Sequence, residues 1–214
     1  MEEDYYIFGS TELGRLLRRF LGESGFKGFL VDEDFYDYTK NLDGESIPLS
    51  REVTSKLAIS GSLVYVAVGY RCMKSRESVY SRLVRSGLNI SSYISPHSIV
   101  HKDAKVGNGN LIFAGVCIEP GVEIGDNNIF WSNSIICHDS KIGGHNFFAA
   151  GCTVGGGVTI GKRCFLGFSS SIDSYVTLMN DVKLGANSFL RDSVTEPGLW
   201  AGSPAIEKSV RNYE

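Results

Sequence analysis

The chain is poor in the residues that announce redox, metal or membrane chemistry. It has five cysteines (Cys72, Cys117, Cys137, Cys152 and Cys164), an odd number with no CxxC spacing, which argues for reduced thiols and against a disulfide framework or zinc knuckle. No apolar run approaches the roughly 18 residues that span a bilayer, so no membrane helix is expected. No strong charge of one sign is present either: the net charge is -3, which gives no reason to expect nucleic acid or an anionic membrane as partner. The acidic start, Met1 to Asp4, runs into Tyr5-Tyr6-Ile7-Phe8 and does not read as a signal peptide, so a cytoplasmic location is expected.

What the chain has in quantity is glycine, 25 residues, and a repeat. From Ile94 to Leu190 an aliphatic residue or Phe stands at every sixth position, through Ile112, Phe130, Phe148 and Ile172. Seventeen successive hits at the chain's own apolar frequency would arise by chance roughly once in a million. Four residues after most of them comes a small or β-branched side chain, such as Ser134, Ser140, Cys152 or Val158. Glycine often follows the aliphatic residue directly, as at Gly107, Gly125, Gly143 and Gly161. A period of six fits neither a helix nor a plain hairpin. It fits short strands joined by tight turns: the aliphatic residue points inward, the small one fills the corner, and glycine permits the turn. Three hexads make a triangular coil of 18 residues, and coils stack about 4.8 Å apart by parallel pairing. The fold class expected here is a left-handed parallel β-helix.

Residues 1–90 carry a different pattern. Tyr5–Phe8, Phe26–Asp32 and Leu63–Gly69 read as strands; Leu13, Leu16, Leu17, Phe20 and Leu21 have helical spacing, and 73–86 reads as a second helix. Strand–helix–strand order predicts a Rossmann-like parallel α/β domain, with ligands beyond the carboxyl ends of its strands. The expected domains are therefore 1–90, a β-helix over 91–196 and a C-terminal tail over 197–214. Gly9-Ser10-Thr11-Glu12-Leu13-Gly14 lacks the middle glycine of a dinucleotide fingerprint and carries Glu12 within it, an acid that would repel pyrophosphate. NAD is not expected.

Trp131-Ser132-Asn133-Ser134-Ile135-Ile136-Cys137-His138-Asp139, together with the α/β start and the hexapeptide repeat, resembles the bacterial sugar O-/N-acyltransferases of the NeuD/PglD type. The nearest look-alikes are N-acetyltransferases of nucleotide-linked amino-dideoxy sugars. The resemblance implies a homotrimer with sites between neighbouring β-helices and acetyl-CoA as donor. It also implies a dTDP- or UDP-linked sugar held by the first domain, and a place in surface polysaccharide or glycan biosynthesis.

His138 is the candidate general base, because acyl transfer needs a group that takes the nucleophile's proton near neutral pH. Asp139 is the candidate to orient it. Gly156 is 18 residues on, hence one coil away on the same column, and its N–H is the candidate oxyanion donor. By resemblance, Gly156, Gly157, Ser174, Gly202 and Pro204 meet CoA, the last two within Gly198 to Ala205. There the family's usual Lys after Pro-Ala is Ile206, leaving Lys208 as a substitute. Gly9, Ser10, Asp32, Gly69, Tyr70 and Arg71 are candidates for the nucleotide sugar, Tyr70 by stacking and Arg71 by meeting phosphate. Trp131 and Asn133 are candidates for the sugar pocket, an indole face suiting a pyranose; a Trp packed between copies is the other reading.

Where relatives carry a second histidine the chain has Phe147, and His145 reads as a surface residue. A γ-carbonic-anhydrase-like zinc site would need three converging histidines, which the four in the chain do not supply. N- and O-acetylation stay open, since both need one base and one oxyanion donor. A non-enzymatic scaffold is the third reading.

Overall fold

The structure, a computed structural model, describes residues 3–37, 45–69 and 72–208. The chain divides into two compact units, Met1–Tyr93 and Ile94–Glu214.

The first unit is a five-stranded sheet in the order β3-β2-β1-β4-β5, all parallel. Its strands are β1 (Tyr5–Phe8), β2 (Phe26–Val31), β3 (Ser46–Pro48), β4 (Leu63–Val66) and β5 (Asn89–Ile90). Parallel strands need crossover connections, and helices at Glu12–Leu21, Arg51–Ser60 and Met73–Arg85 provide those between β1 and β2, β3 and β4, and β4 and β5. The α/β expectation holds. Strand β3 and the helix Arg51–Ser60 escape the apolar pattern because that helix buries only Leu57. Its start is nonetheless written locally, since the Ser50 hydroxyl accepts from the Val53 N–H at 3.2 Å. Phe8, Leu30, Val64, Val66 and Leu83 are among the residues that close a core of its own.

The order reverses between β1 and β4, which makes their carboxyl ends the switch point of the sheet. There Gly9 has φ 107°, and a Cβ on it would lie 2.7 Å from the Ala67 carbonyl oxygen, so two constraints demand glycine at once. Gly14 has no room for a side chain either, because the Gly9 carbonyl occupies that space.

The second unit is the left-handed β-helix. Two-residue strands pair in parallel with partners 18 residues away, as in Cys117↔Ile135, Ile135↔Thr153 and Thr153↔Ser171. Three sheets form its faces, and a C-terminal hairpin, Gly198–Gly202 with Ala205–Lys208, extends one of them. From Ile112 to Leu190 every sixth residue is buried inside the coil. The first three of the series depart from this. Ile94 is 46% exposed and Val100 and Val106 are half-buried, because the opening coil has stacked neighbours on one side only.

The turns correct the role assigned to glycine. Fourteen successive positions six residues apart, from Gly109 through Asp139, His145, Gly157 and Tyr175 to Asn187, have positive φ. The left-handed residue therefore stands three places after the inward aliphatic residue, not one. Glycines directly after it, such as Gly125, Gly143 and Gly161, have ordinary φ, and what they lack is room. A Cβ on Gly125 would lie 3.1 Å from the Gly143 backbone of the next coil.

One inner corner is filled by asparagine instead of a small side chain. Asn110, Asn128 and Asn146 are fully buried and 18 residues apart. Each carbonyl oxygen accepts the backbone N–H one coil on, from Asn128, Asn146 and Cys164, at 2.7 to 2.9 Å. Each amide group donates to a glycine carbonyl of its own turn, and those of Asn110 and Asn146 reach one on the next coil as well. Such a ladder satisfies buried backbone groups and locks neighbouring coils in register.

Candidate active site

His138 sits on the corner formed by residues 137–140, just beyond strand Ile135–Ile136. Its backbone N–H donates to Glu119 Oε2 at 2.8 Å, which ties the turn to the preceding coil. Its Nδ1 lies 3.0 Å from Asp139 Oδ2. Asp139 occupies a left-handed position, φ 58°, which a short polar side chain tolerates. A carboxylate can only accept, so Nδ1 carries the proton and the Nε2 lone pair is left free. The histidine side chain is 55% exposed, open to a substrate.

Nε2 faces Gly156. A Cβ on Gly156 would lie 2.6 Å from it, so the imidazole occupies the space a side chain would take. The 18-residue ruler thus brings the two candidates together. The Gly156 N–H makes no hydrogen bond among the described residues, whereas the Gly157 N–H donates to the His138 carbonyl at 2.9 Å. An imidazole nitrogen and a backbone amide with no hydrogen bond among the described residues therefore lie beside the same glycine.

Gly155, Gly156 and Gly157 leave one coil of this corner bare, and three side chains fold onto it. His138 covers Gly156. From the other side Ser174 covers Gly155, its Oγ 2.9 Å from where a Cβ would stand. The ring of Tyr175 covers Gly157 at 2.7 Å on the same measure. Glu119 and Tyr175 were missed in reading the sequence. The signal was present, since 119 lies 18 before 137 and 175 lies 18 after 157.

Other candidates are placed elsewhere. Trp131 and Asn133 stand on the turn at the far end of strand Ile135–Ile136 from His138. Trp131 stacks on Phe113 at 4.6 Å, and its buried Nε1 has no hydrogen-bond partner among the described residues. His145 is not a surface residue. It is 8% exposed, with Nδ1 2.9 Å from Asn127 Nδ2, so the corner of the fold accounts for it. Gly202 and Pro204 lie at the turn of the C-terminal hairpin, beside the exposed Ile206. In the first unit Ser10 is buried at the switch point beside Gly9, and Asp32 at the end of β2 is held by Arg82 at 2.7 Å. A side chain on Gly69 would meet open space. Tyr70 and Arg71 lie outside the described residues. Among the described residues no three His, Cys, Asp or Glu side chains are grouped to hold a metal ion, and no helix is long and apolar enough to cross a membrane.

A family model described as bacterial transferase hexapeptide, six repeats, matches residues 103–138. Over those residues the chain is similar to bacterial-transferase hexapeptide repeats. Solved structures share the fold over the whole length. A histidine-to-alanine variant of GDP-perosamine N-acetyl transferase from Caulobacter crescentus, in complex with CoA and GDP-perosamine, is 23% identical; the match covers 98% of this chain and 99% of that one, with a TM-score of 0.84. The acetyltransferase domain of PglB from Neisseria gonorrhoeae, in complex with acetyl coenzyme A, is 17% identical over 97% and 100%, with a TM-score of 0.82. WeeI from Acinetobacter baumannii is 20% identical over 96% and 99%, also with a TM-score of 0.82. No curated protein sequence matches. The hexapeptide model reaches only to His138, so the bare glycine coil and Tyr175 lie beyond it.

Proposed function

We propose that the protein transfers the acetyl group of acetyl-CoA to the amino group of a nucleotide-linked amino-dideoxy sugar. The observation that carries this is the pairing of His138 Nε2, freed by the Nδ1–Asp139 bond, with the unused Gly156 N–H one coil away. As the amine attacks the thioester carbon, Nε2 takes its proton and the Gly156 N–H donates to the developing oxyanion. Collapse of the tetrahedral intermediate breaks the carbon–sulfur bond, and the proton passes from His138 to the departing CoA thiolate. Asp139 steadies the imidazolium in between.

The solved relatives support the substrate class, one holding CoA with GDP-perosamine and another acetyl coenzyme A. A nucleoside diphosphate suits the first unit. Gly9 brings β1 within close reach of β4 at the switch point, and the Gly9–Ser10 turn opens beyond the carboxyl ends of both strands. The base is left to experiment, so GDP joins the dTDP and UDP expected from resemblance. The reading includes a homotrimer in the cytoplasm, serving polysaccharide or glycan assembly. In the trimer of this reading, Trp131 and Asn133, which stand at the other end of strand Ile135–Ile136 from His138, would face the His138 of a neighbouring copy. Outward-facing Ile99 and Ile135, 68% and 37% exposed, line the face between the two corners.

Thiol release from acetyl-CoA, with GDP-, UDP- and dTDP-linked 3-amino and 4-amino sugars and their hydroxyl counterparts, tests the reaction. His138→Ala is expected to lower kcat by about 10²–10⁴-fold. Unchanged turnover would remove the base assignment, and turnover only with hydroxyl acceptors would turn the reading to O-acetylation.

A further inference from the structure

We infer that Tyr175 is a specificity-determining residue that limits the donor to a short acyl group, an inference that rests on the acyl-CoA reading of the His138–Gly156 site. Three observations meet here. The ring of Tyr175 lies on Gly157, next to the free Gly156 N–H, although the residue is 79% exposed and otherwise unsupported by packing. Its backbone stands in the left-handed region at φ 63°. That region is costly for a bulky side chain, and the other described corners of the series carry Gly, Asn, Asp, His, Arg or Ser. A strained aromatic kept at one corner, beside the reacting groups, points to a use for its ring.

The third observation is size. His138 and Tyr175 belong to coils two steps apart, about 10 Å at roughly 4.8 Å per step. Both rings lean toward the single glycine coil between them. The gap between two rings each about 3.4 Å thick is therefore a few ångströms, of the order of an acetyl group. With its carbonyl oxygen at the Gly156 N–H, a thioester lies beside Gly157, and any lengthening of the acyl chain meets the phenol ring.

The test needs no acceptor. Dissociation constants for acetyl-, propionyl-, butyryl- and hexanoyl-CoA are measured calorimetrically on the whole protein, its Tyr175→Phe form and its Tyr175→Asn form. Asparagine tolerates the left-handed backbone, so this variant keeps the corner folded while removing the ring. The wild type and Tyr175→Phe are expected to bind acetyl-CoA at least tenfold more tightly than butyryl-CoA, and Tyr175→Asn to narrow that ratio to about threefold or less. An unchanged ratio in Tyr175→Asn overturns the inference while leaving the acetyltransferase reading standing. So does an equal loss of affinity for all four donors, which would place the ring against the CoA arm. No binding of acetyl-CoA to the wild type removes both.

Discussion

At Gly156 a single added methyl would test the site. The glycine's φ is ordinary, so alanine fits the backbone, but the new methyl would stand 2.6 Å from His138 Nε2 and push the ring aside. Displacing a catalytic group by about 1 Å costs on the order of 100-fold in rate. Gly156→Ala is therefore expected to lower kcat by that order and to shift the melting temperature by no more than about 2 °C, since the turn makes few core contacts. A large fall in melting temperature, with activity lost in proportion, would show a turn glycine and nothing more. The sequence carried this pair because the repeat acts as a ruler: 138 plus 18 is 156. It did not show why glycine is needed there. From spacing alone an exposed N–H and a permissive turn are equal explanations, and the structure adds a steric one, room for the imidazole. Tyr175 and Glu119 follow from the same ruler but were passed over, because a tyrosine and a glutamate on a turn look like ordinary solvated residues until they are counted in coils.

At the scale of the element, the hexad pattern was legible because one inward side chain per strand must be apolar, and that periodicity survives changes at every other position. The turn chemistry was less legible. The left-handed residue need not be glycine, and nine of the fourteen in the series are not. They include His145, whose polarity suggested the surface although Asn127 and the corner enclose it. The asparagine ladder escaped for a related reason, since the pattern at that corner is read as small and apolar and a buried amide breaks it. Its contribution is testable. Asn128→Ala would orphan the buried Asn146 N–H, which now donates to Asn128 Oδ1 at 2.9 Å. One buried unsatisfied group costs about 1–3 kcal/mol. At roughly 2–4 °C per kcal/mol for a chain of this size, the melting temperature is expected to fall by several degrees. Acetyl transfer per folded molecule should remain, because the ladder lies at a different corner from His138. A melting temperature unmoved by the change would show that the ladder fills space without holding register.

For the whole molecule, the two units have separate cores, and their spectroscopic reporters are separate as well. Both tryptophans, Trp131 and Trp200, belong to the β-helix unit, while the helices Glu12–Leu21, Arg51–Ser60 and Met73–Arg85 belong to the first. Two thiols report on the β-helix alone. Burial pushes Cys152 up to about 12 and Cys164 up to about 11, so neither offers a thiolate near neutral pH until its coil opens. Cys72 is exposed, and hydrogen bonding to Ser75 lowers its thiol, so it should be labelled at once in the native protein. The β-helix also has a nearly continuous apolar interior from Ile112 to Val194, locked at one corner by the asparagine ladder, whereas the first unit divides its core between the two faces of a five-stranded sheet, with Phe8, Leu30 and Val64 on one and Ile7, Phe29 and Tyr65 on the other. Units with independent cores unfold independently unless a large interface couples them. In a urea titration, helical ellipticity is therefore expected to be lost first. Tryptophan fluorescence and the labelling of Cys152 and Cys164 should follow together at a higher midpoint. Coincidence of all three signals would instead make the 214 residues one cooperative unit. The helices of the first unit would then owe their stability to the β-helix.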